Sequence, residues 1–498
     1  MTGSVTKDVV LGVDSSTQSC KVEVRDADTG RLYGTGSAPH PPAFPPSSEQ
    51  HPIDWVTAFV AATKAALANS AEPVTVRAIS VAAQCHGLVL LDSAGQPLRA
   101  AKLWNDTTGA PNLARLTERI GARRWVLRIG SLPTAAFTIA KLAWIADHEP
   151  HLLDRVDAIL LPHDYLTYWL TGARVTDRSD ASGTGYFDAT AGEWITEYMN
   201  FAAGVRDWAP KLPTVLGPAQ PAGTLRAAAA AELGLPAGVV VAPGGGDQHA
   251  GYLGLGLTDG DQYFGIGTSG VVATSSRSPV FDPTGMVDGV ADLTGGYLPL
   301  VSTLNAARVG DLAARLLGTD LSGLEQLALA AGDTQGPVLV PFFDGERKPD
   351  RPDARGTFVD ITSHTTREEL ARAFVEGPLL SLLSARDHLR AGGVEFTSGI
   401  TAVGGGARSK ATRQLLADLS GEEVITLDAE EATARGACVQ AAAVAAGGDT
   451  SSLIDIAKRW QPPVLAAATP RESGRDVAAL RSRWDVVSQS PLIDRVGV

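Results

Sequence analysis

LGVDSSTQSCKVEVRD, residues 11–26, is an apolar run that ends on one acid, Asp14. Ser15-Ser16-Thr17-Gln18 follows, and a second alternating run begins at Cys20. Two stretches of period-two alternation around a short polar break read as a β-hairpin. Its tight turn holds a carboxylate beside hydroxyls.

The pattern recurs far along the chain. Gln262 to Ile266 runs into Gly267-Thr268-Ser269-Gly270, and Val271 to Ala273 resumes as a strand. Two such turns about 250 residues apart read as an internal duplication, and so as two similar α/β domains with a cleft between them. The expected division is 1–243 and 244–498.

Other segments fit an α/β chain. Pro52 and Asp54 open a helix with Val56, Phe59, Val60 and Leu67 on one face, interrupted by Thr63. Ala78 to Val81 reads as a strand entering the loop Gln84-Cys85-His86-Gly87, and Leu88 to Leu91 as another strand. Val239 to Ala242 ends in Gly244-Gly245-Gly246-Asp247 with a helix after it. Ile400 to Val403, Gly404-Gly405-Gly406 and Ser409 to Leu419 repeat that strand-glycine-helix order.

The bulk numbers bound the function. A chain of 498 residues with 44% hydrophobic and 19% charged residues is ordinary for a globular enzyme. A net charge of −13 argues against a nucleic-acid binder. No run of ~18 apolar residues predicts a membrane span, and MTGSVTKDVV lacks the apolar core of a secretory signal. Cys20, Cys85 and Cys438 are too few and scattered for a disulfide framework, so a reducing cytoplasm is expected. The sequence leaves a homodimer open as an assembly state.

Several motifs are excluded. GIGTSGVV, residues 265–272, matches the dinucleotide fingerprint and the protein-kinase glycine loop as text. A strand follows where the first needs a helix, and the lysine, HRD and DFG partners of the second are missing. No Gly-Lys pair exists for a Walker A loop. HEPH at 148–151 lacks zinc-helix spacing, and no CxxC or GxSxG occurs. What remains is a turn suited to cradling phosphate oxygens. Asp247, between glycines and a helix, reads either as an N-cap or as an accessible general base. His86 sits at a strand end, where α/β ligands bind. Trp104, Asn105 and Asp106 offer the aromatic face and polar groups that hold sugars, or else a helix start with Asn105 or Asp106 as its cap.

Taken together, VDSSTQSCKV, AAQCHGLVLLD, LWND, AFTIAKLAWIADHEP, LLPHDYLTYWLTG, TDRSDASGTGYFD, GGGDQHAG, GIGTSGV, DGERKP and VGGGARSKATRQLLADLSG resemble the FGGY family of carbohydrate kinases over roughly residues 8 to 450. The text is most like that of members acting on D-xylulose. The resemblance implies two actin-like (ribonuclease H-like) domains around a catalytic cleft, ATP and Mg²⁺, and phosphorylation of D-xylulose at its 5-hydroxyl. It implies Asp247 as catalytic base and Asp14 as the second catalytic acid, the two forming the Mg²⁺ region. Ser16 and Thr17, with Gly267, Thr268 and Ser269, become the phosphate turns, and Gly405 and Gly406 the adenosine site. Gln84, Cys85, His86, Trp104 and Asn105 become sugar-side residues. Another ketose or polyol, or a non-catalytic nucleotide switch, are the competing readings. The chain departs from the family at Ser16 (commonly Gly), Cys85 (Met), Gln248 (Asn), Ala136 and Ala140; Ser16 raises the expectation of unusual backbone geometry in its turn.

Overall fold

A computed structural model describes residues 6–494. Two seven-stranded sheets form its frame. In the first, Lys7–Ser15 pairs antiparallel with Ser19–Asp26, which pairs antiparallel with Leu32–Pro39. On its other side Lys7–Ser15 runs parallel to Val74–Ala83, which runs parallel to Val240–Val241. The second sheet repeats this plan. Gln262–Ile266 pairs antiparallel with Gly270–Ala273, then Tyr297–Thr303. It runs parallel to Ile400–Val403, followed by Val424–Leu427. Even the edges agree: Gly223–Thr224 and Val464–Ala468 each add an antiparallel strand. The duplication read from the two turns is a duplication of sheet topology, and the fold is the two-domain α/β architecture expected.

Each sheet is covered on both faces, as parallel strands require. Helix Pro52–Ala68 buries Trp55, Val56, Phe59, Ala62 and Ala66 against one face of the first sheet, while Val60 and Leu67 lie half-buried at the edge of that stripe. Thr63 is buried with its hydroxyl unpartnered. On the other face lie Asp247–Gly254 and Ala432–Ala445, with Val10, Ala78, Ala82, Ala250, Ala441 and Leu453 in one core. Helix Asp247–Gly254 also turns Tyr252, with Leu255 beyond it, toward Ala273, Val290 and Leu298 of the second sheet. These two helices therefore fill the space between the domains.

Glycine makes that packing close. A Cβ at Gly436 would lie 1.8 Å from Ala250 O, one at Gly254 1.9 Å from Ala432 O, and one at Gly12 2.0 Å from Ala434 O. Helix meets helix and strand backbone to backbone there, so a side chain at any of the three would force the layers apart.

The halves expected as 1–243 and 244–498 interleave. Gly245–Gly246 still belongs to the first sheet, pairing with Ala82–Ala83, and helices Ala432–Ala445 and Thr450–Arg459 return to pack on that sheet. Val89–Leu91 leaves the main sheet and pairs with Ala158–Leu160, next to a helical layer built on Trp125, Ile139, Leu142, Tyr198 and Trp208. No described helix is long and apolar enough to cross a membrane.

Candidate active site

Parallel strands carry their carboxyl ends to one edge, and there the fold assembles its polar groups. Asp14 and Ser15 lie in register with Ala82 and Ala83, and Gly245–Gly246 continues alongside the same residues. Asp14, the loop after Ala83 and Asp247 thus emerge from three neighbouring strands, although 233 positions separate the two acids.

Asp247 is the first residue of its helix, and the N-cap is Gly246, so the N-cap reading of Asp247 is corrected. Its Oδ1 accepts the Gln248 N–H at 2.8 Å and the Cys85 thiol at 3.3 Å. Burial lifts this carboxyl to about 6; Asp180 adds to the rise, and the two hydrogen bonds work against it. Cys85 is a buried thiol pushed well up by its burial and by Asp180 and Asp247, which leaves it no nucleophile. Gln248 is exposed.

Asp14 is only 6% exposed. Burial lifts it to about 7, opposed by the Ser16 hydroxyl and reinforced by Asp247. The Ser16 Oγ donates to Asp14 Oδ1. The unusual backbone expected at Ser16 does not occur: among the described non-glycine residues only His86 and Asp360 have positive φ. Lys21, a neighbouring cation, is held 2.8 Å from Glu431 instead. Asp14, Asp247, Gly404, Gly405 and Arg408 line a cleft of 890 Å³.

The first turn is tied to the residues expected on the sugar side. Thr17 Oγ1 donates to Gln84 Oε1 at 3.2 Å and accepts from Trp104 Nε1 at 2.9 Å. Gln84 is itself buried, with Nε2 donating to Gln50 Oε1 at 3.3 Å. Its side chain braces the turn from behind. Trp104 stays 40% exposed, leaving ring surface open. Asn105 Oδ1 is buried without a partner, an acceptor waiting for a donor. The cap reading of Asn105 or Asp106 fails, because the next helix begins at Ala110 with Gly109 as its N-cap. Asp106 instead accepts from Lys102 Nζ at 3.0 Å and from Ser48 N at 3.0 Å, and Lys102 lies 3.8 Å over the Trp144 ring.

His86 has φ of 63°, a left-handed conformation that costs an L-residue roughly 1–2 kcal/mol. Asp180 holds it, with Oδ1 accepting from His86 N at 3.0 Å and facing Nδ1 at 3.1 Å. The Phe137 ring stacks on the imidazole at 5.3 Å, and Thr138 Oγ1 donates to His86 O at 3.1 Å. Reasoning from the sequence gave Asp180 no role. The signal was the acid-rich TDRSD text, in which Asp177 accepts from Ser179 N and Asp180 N as a helix cap.

The second turn stands elsewhere on the same plan. Gly267 and Thr268, with Gly310, Gly405, Gly406 and Ser409, line a cavity of 490 Å³. A Cβ at Gly406 would sit 2.6 Å from Ile266 Cγ2, whereas one at Gly405 would meet nothing within 4 Å. Gly405 lines both cavities, so they meet at this residue.

Two family models match: the N-terminal domain of the FGGY family of carbohydrate kinases over residues 9–254 and the C-terminal domain over 263–445. The chain is 40% identical to the xylulose kinase of Streptomyces coelicolor, covering 98% of each. It is 35% identical to the xylulose kinase of Escherichia coli over 83% of this chain and 85% of that one. The crystal structure of xylulose kinase from Bifidobacterium adolescentis superposes with a TM-score of 0.85 at 38% identity, over 96% of this chain and 99% of that one. With two matching domain models on a duplicated sheet frame, and two acids at its cleft, the chain belongs to the FGGY family of carbohydrate kinases and is an ATP-dependent sugar kinase.

Proposed function

We propose that this kinase transfers the terminal phosphoryl group of ATP to the 5-hydroxyl of D-xylulose, giving D-xylulose 5-phosphate and ADP. The observation that carries the reaction is Asp247 on the same strand edge as Asp14 and the Cys85–His86 loop. The similarity to xylulose kinases over nearly the whole chain supports the choice of sugar.

The sugar lies against Cys85 and His86, with the open face of Trp104 and the free Asn105 Oδ1 beside it. Asp247 accepts the proton of the attacking hydroxyl as the new O–P bond forms and the bond to ADP breaks. The hydroxyls of Thr268 and Ser269 and the backbone of both turns surround the phosphates, the Ser16 hydroxyl being engaged by Asp14, and the adenosine occupies the cavity at Gly405 and Gly406. Thr17 contributes its backbone to this cradle, its hydroxyl being engaged by Gln84 and Trp104.

The donor set fits a hard divalent cation. Asp14 and Asp247 face one cleft, burial penalises the charge of both, and the neighbouring Lys21 is paired with Glu431. Mg²⁺ takes one or two carboxylates and keeps its waters, so Asp14, with Asp247 beside it, would hold it. When bound, Mg²⁺ neutralises charge on the phosphates. Closure of the domains would exclude water from the transfer. Three free cysteines, all buried, fit the reducing cytoplasm.

ADP release with ATP, Mg²⁺ and a panel of D-xylulose, ribulose, glycerol and gluconate tests the assignment. Turnover is expected to be highest with D-xylulose. A higher kcat/KM with ribulose or glycerol would replace the sugar while leaving the kinase.

A further inference from the structure

Two of the motifs, LLPHDYLTYWLTG and TDRSDASGTGYFD, contribute no group to the chemistry above, yet they meet directly behind His86. His163 is completely buried, and its Nε2 lies 3.1 Å from Asp164 Oδ1, 3.3 Å from Asp177 Oδ1 and 3.7 Å from Asp180 Oδ2, the last a contact between charges and not a hydrogen bond. Asp180 spends its other oxygen, Oδ1, on His86 N and Nδ1. Asp177 fixes the turn that carries Asp180 by accepting from the Ser179 and Asp180 amides at 2.6 and 3.2 Å. Gly183, from the same segment, leaves the room the imidazole fills: a Cβ there would stand 1.8 Å from His86 Cε1.

We infer that His163 and Asp180 are positioning residues for sugar recognition, a buried imidazole–carboxylate chain that locks His86 in its left-handed conformation at the sugar pocket.

Charge supports the arrangement. Burial pushes His163 down, but Asp164, Asp177 and Asp180 outweigh it and raise it to about 9. His163 is then the charged imidazole among these acids. Without it, Asp177 and Asp180 would lose the imidazole that faces their buried oxygens, and the turn would relax away from His86. The chain Asp177–His163–Asp180–His86 thus gives the two motifs one task, although neither touches the reacting atoms.

The inference rests on the proposed reading that His86 faces the sugar, and the experiment separates the two. Steady-state kinetics are measured for His86→Ala, His163→Gln, Asp180→Asn and Asp180→Ala, each checked for folding by circular dichroism. A displaced binding group costs up to roughly a hundredfold. His163→Gln is expected to lower kcat/KM for the sugar about ten- to a hundredfold, mostly through KM, with KM for ATP changed less than about twofold. Asp180→Asn keeps an acceptor for the His86 amide and is expected to lose less than Asp180→Ala. Should His163→Gln fail to fold, Gly183→Ala displaces the His86 ring without touching a charge and is expected to give the same split. If His86→Ala weakens sugar use while folded His163→Gln, Asp180→Asn and Gly183→Ala do not, the positioning role is wrong and the reading of His86 stands. Equal rises in both KM values would also overturn it, as the mark of general destabilisation. If His86→Ala leaves the sugar KM unchanged, both fall.

Discussion

In the turn after Ser15, side chains are drawn into the protein: Ser16 onto Asp14, and Thr17 between Gln84 and Trp104. Its carbonyls are held as well. Ser16 O lies 2.9 Å from His40 Nδ1, Thr17 O accepts from Gln50 Nε2 at 2.9 Å, and Gln18 O accepts from His40 N at 2.8 Å. In the turn after Ile266 only the backbone is anchored, Gly267 O by Ala307 N at 2.8 Å and Thr268 O by Ala306 N at 3.3 Å. Thr268 is exposed and Ser269 half-buried, and neither hydroxyl is tied to another side chain among the described residues. The same hairpin topology has therefore been given two tasks. The first turn is built in advance and couples Asp14 to Gln84 and Trp104, and the second leaves its hydroxyls untied.

Breaking the charged half of the first turn should have the largest effect of any change to the two turns. Asp14→Asn keeps the shape and the Ser16 contact but removes the charge, and should lower kcat with Mg²⁺-ATP by ~10²–10³-fold. Sugar affinity, measured by equilibrium binding without nucleotide, should change little. The second turn has no acid, so no substitution there should reproduce that loss together with altered Mg²⁺ dependence.

The pH profile sharpens the contrast between acid and hydroxyl. Asp247 must be ionised to take a proton, and its carboxyl is raised to about 6. Measured kcat/KM for the sugar should therefore fall about tenfold per pH unit below that value, whereas an ordinary aspartate would hold activity down to about 4. For folding the sign is opposite. Carboxyls raised in the folded state favour it while protonated, so Asp14 and Asp247 withdraw stability from the ligand-free protein as pH rises from the ordinary aspartate range through about 7 and 6 respectively. Thermal melts across that range check it.

Gly405 probes the open half. Its Cβ position is empty, so Gly405→Val should fold normally yet obstruct the nucleotide, raising KM for ATP about tenfold (~1.4 kcal/mol). KM for the sugar should stay within about twofold.

Thr17→Val and Thr268→Val are the matched pair. Each deletes one hydroxyl, worth about 0.5–1.5 kcal/mol per hydrogen bond and so roughly two- to tenfold. Thr17→Val should act on the sugar KM through Trp104, and Thr268→Val on the ATP KM. Identical effects on the same substrate would remove the division of labour. Ser16→Gly should be smallest, about twofold in kcat, because the backbone there needs no glycine.

Much of this was legible because it is local. Period-two alternation around DSST and GTSG marked both hairpins, and the glycine runs before Asp247 and Ser409 marked strand ends that turn into helices. Their repetition gave the duplicated frame. What stayed hidden depends on distant contacts. The alanine-rich run in Ala432–Ala445 reads as a helix, but nothing local says that Ala434 lies on Gly12, since small residues pack wherever backbones come close. The contact of Asp180 with His86 joins residues 94 apart, one on a short helix and one in a loop after the main sheet, so no local pattern brings them together. A turn hydroxyl can point either way, so the sequence leaves the Thr17 hydroxyl open to phosphate, and Trp104 and Gln84, far along the chain, decide otherwise.

The most direct test is single-turnover phosphoryl transfer from ATP to D-xylulose by Asp247→Asn, beside the unaltered protein. A loss of ~10²–10⁴-fold in the transfer rate is expected, the worth of a general base, with ATP and sugar affinities nearly unchanged. A rate within about threefold of the unaltered protein would contradict Asp247 as the base.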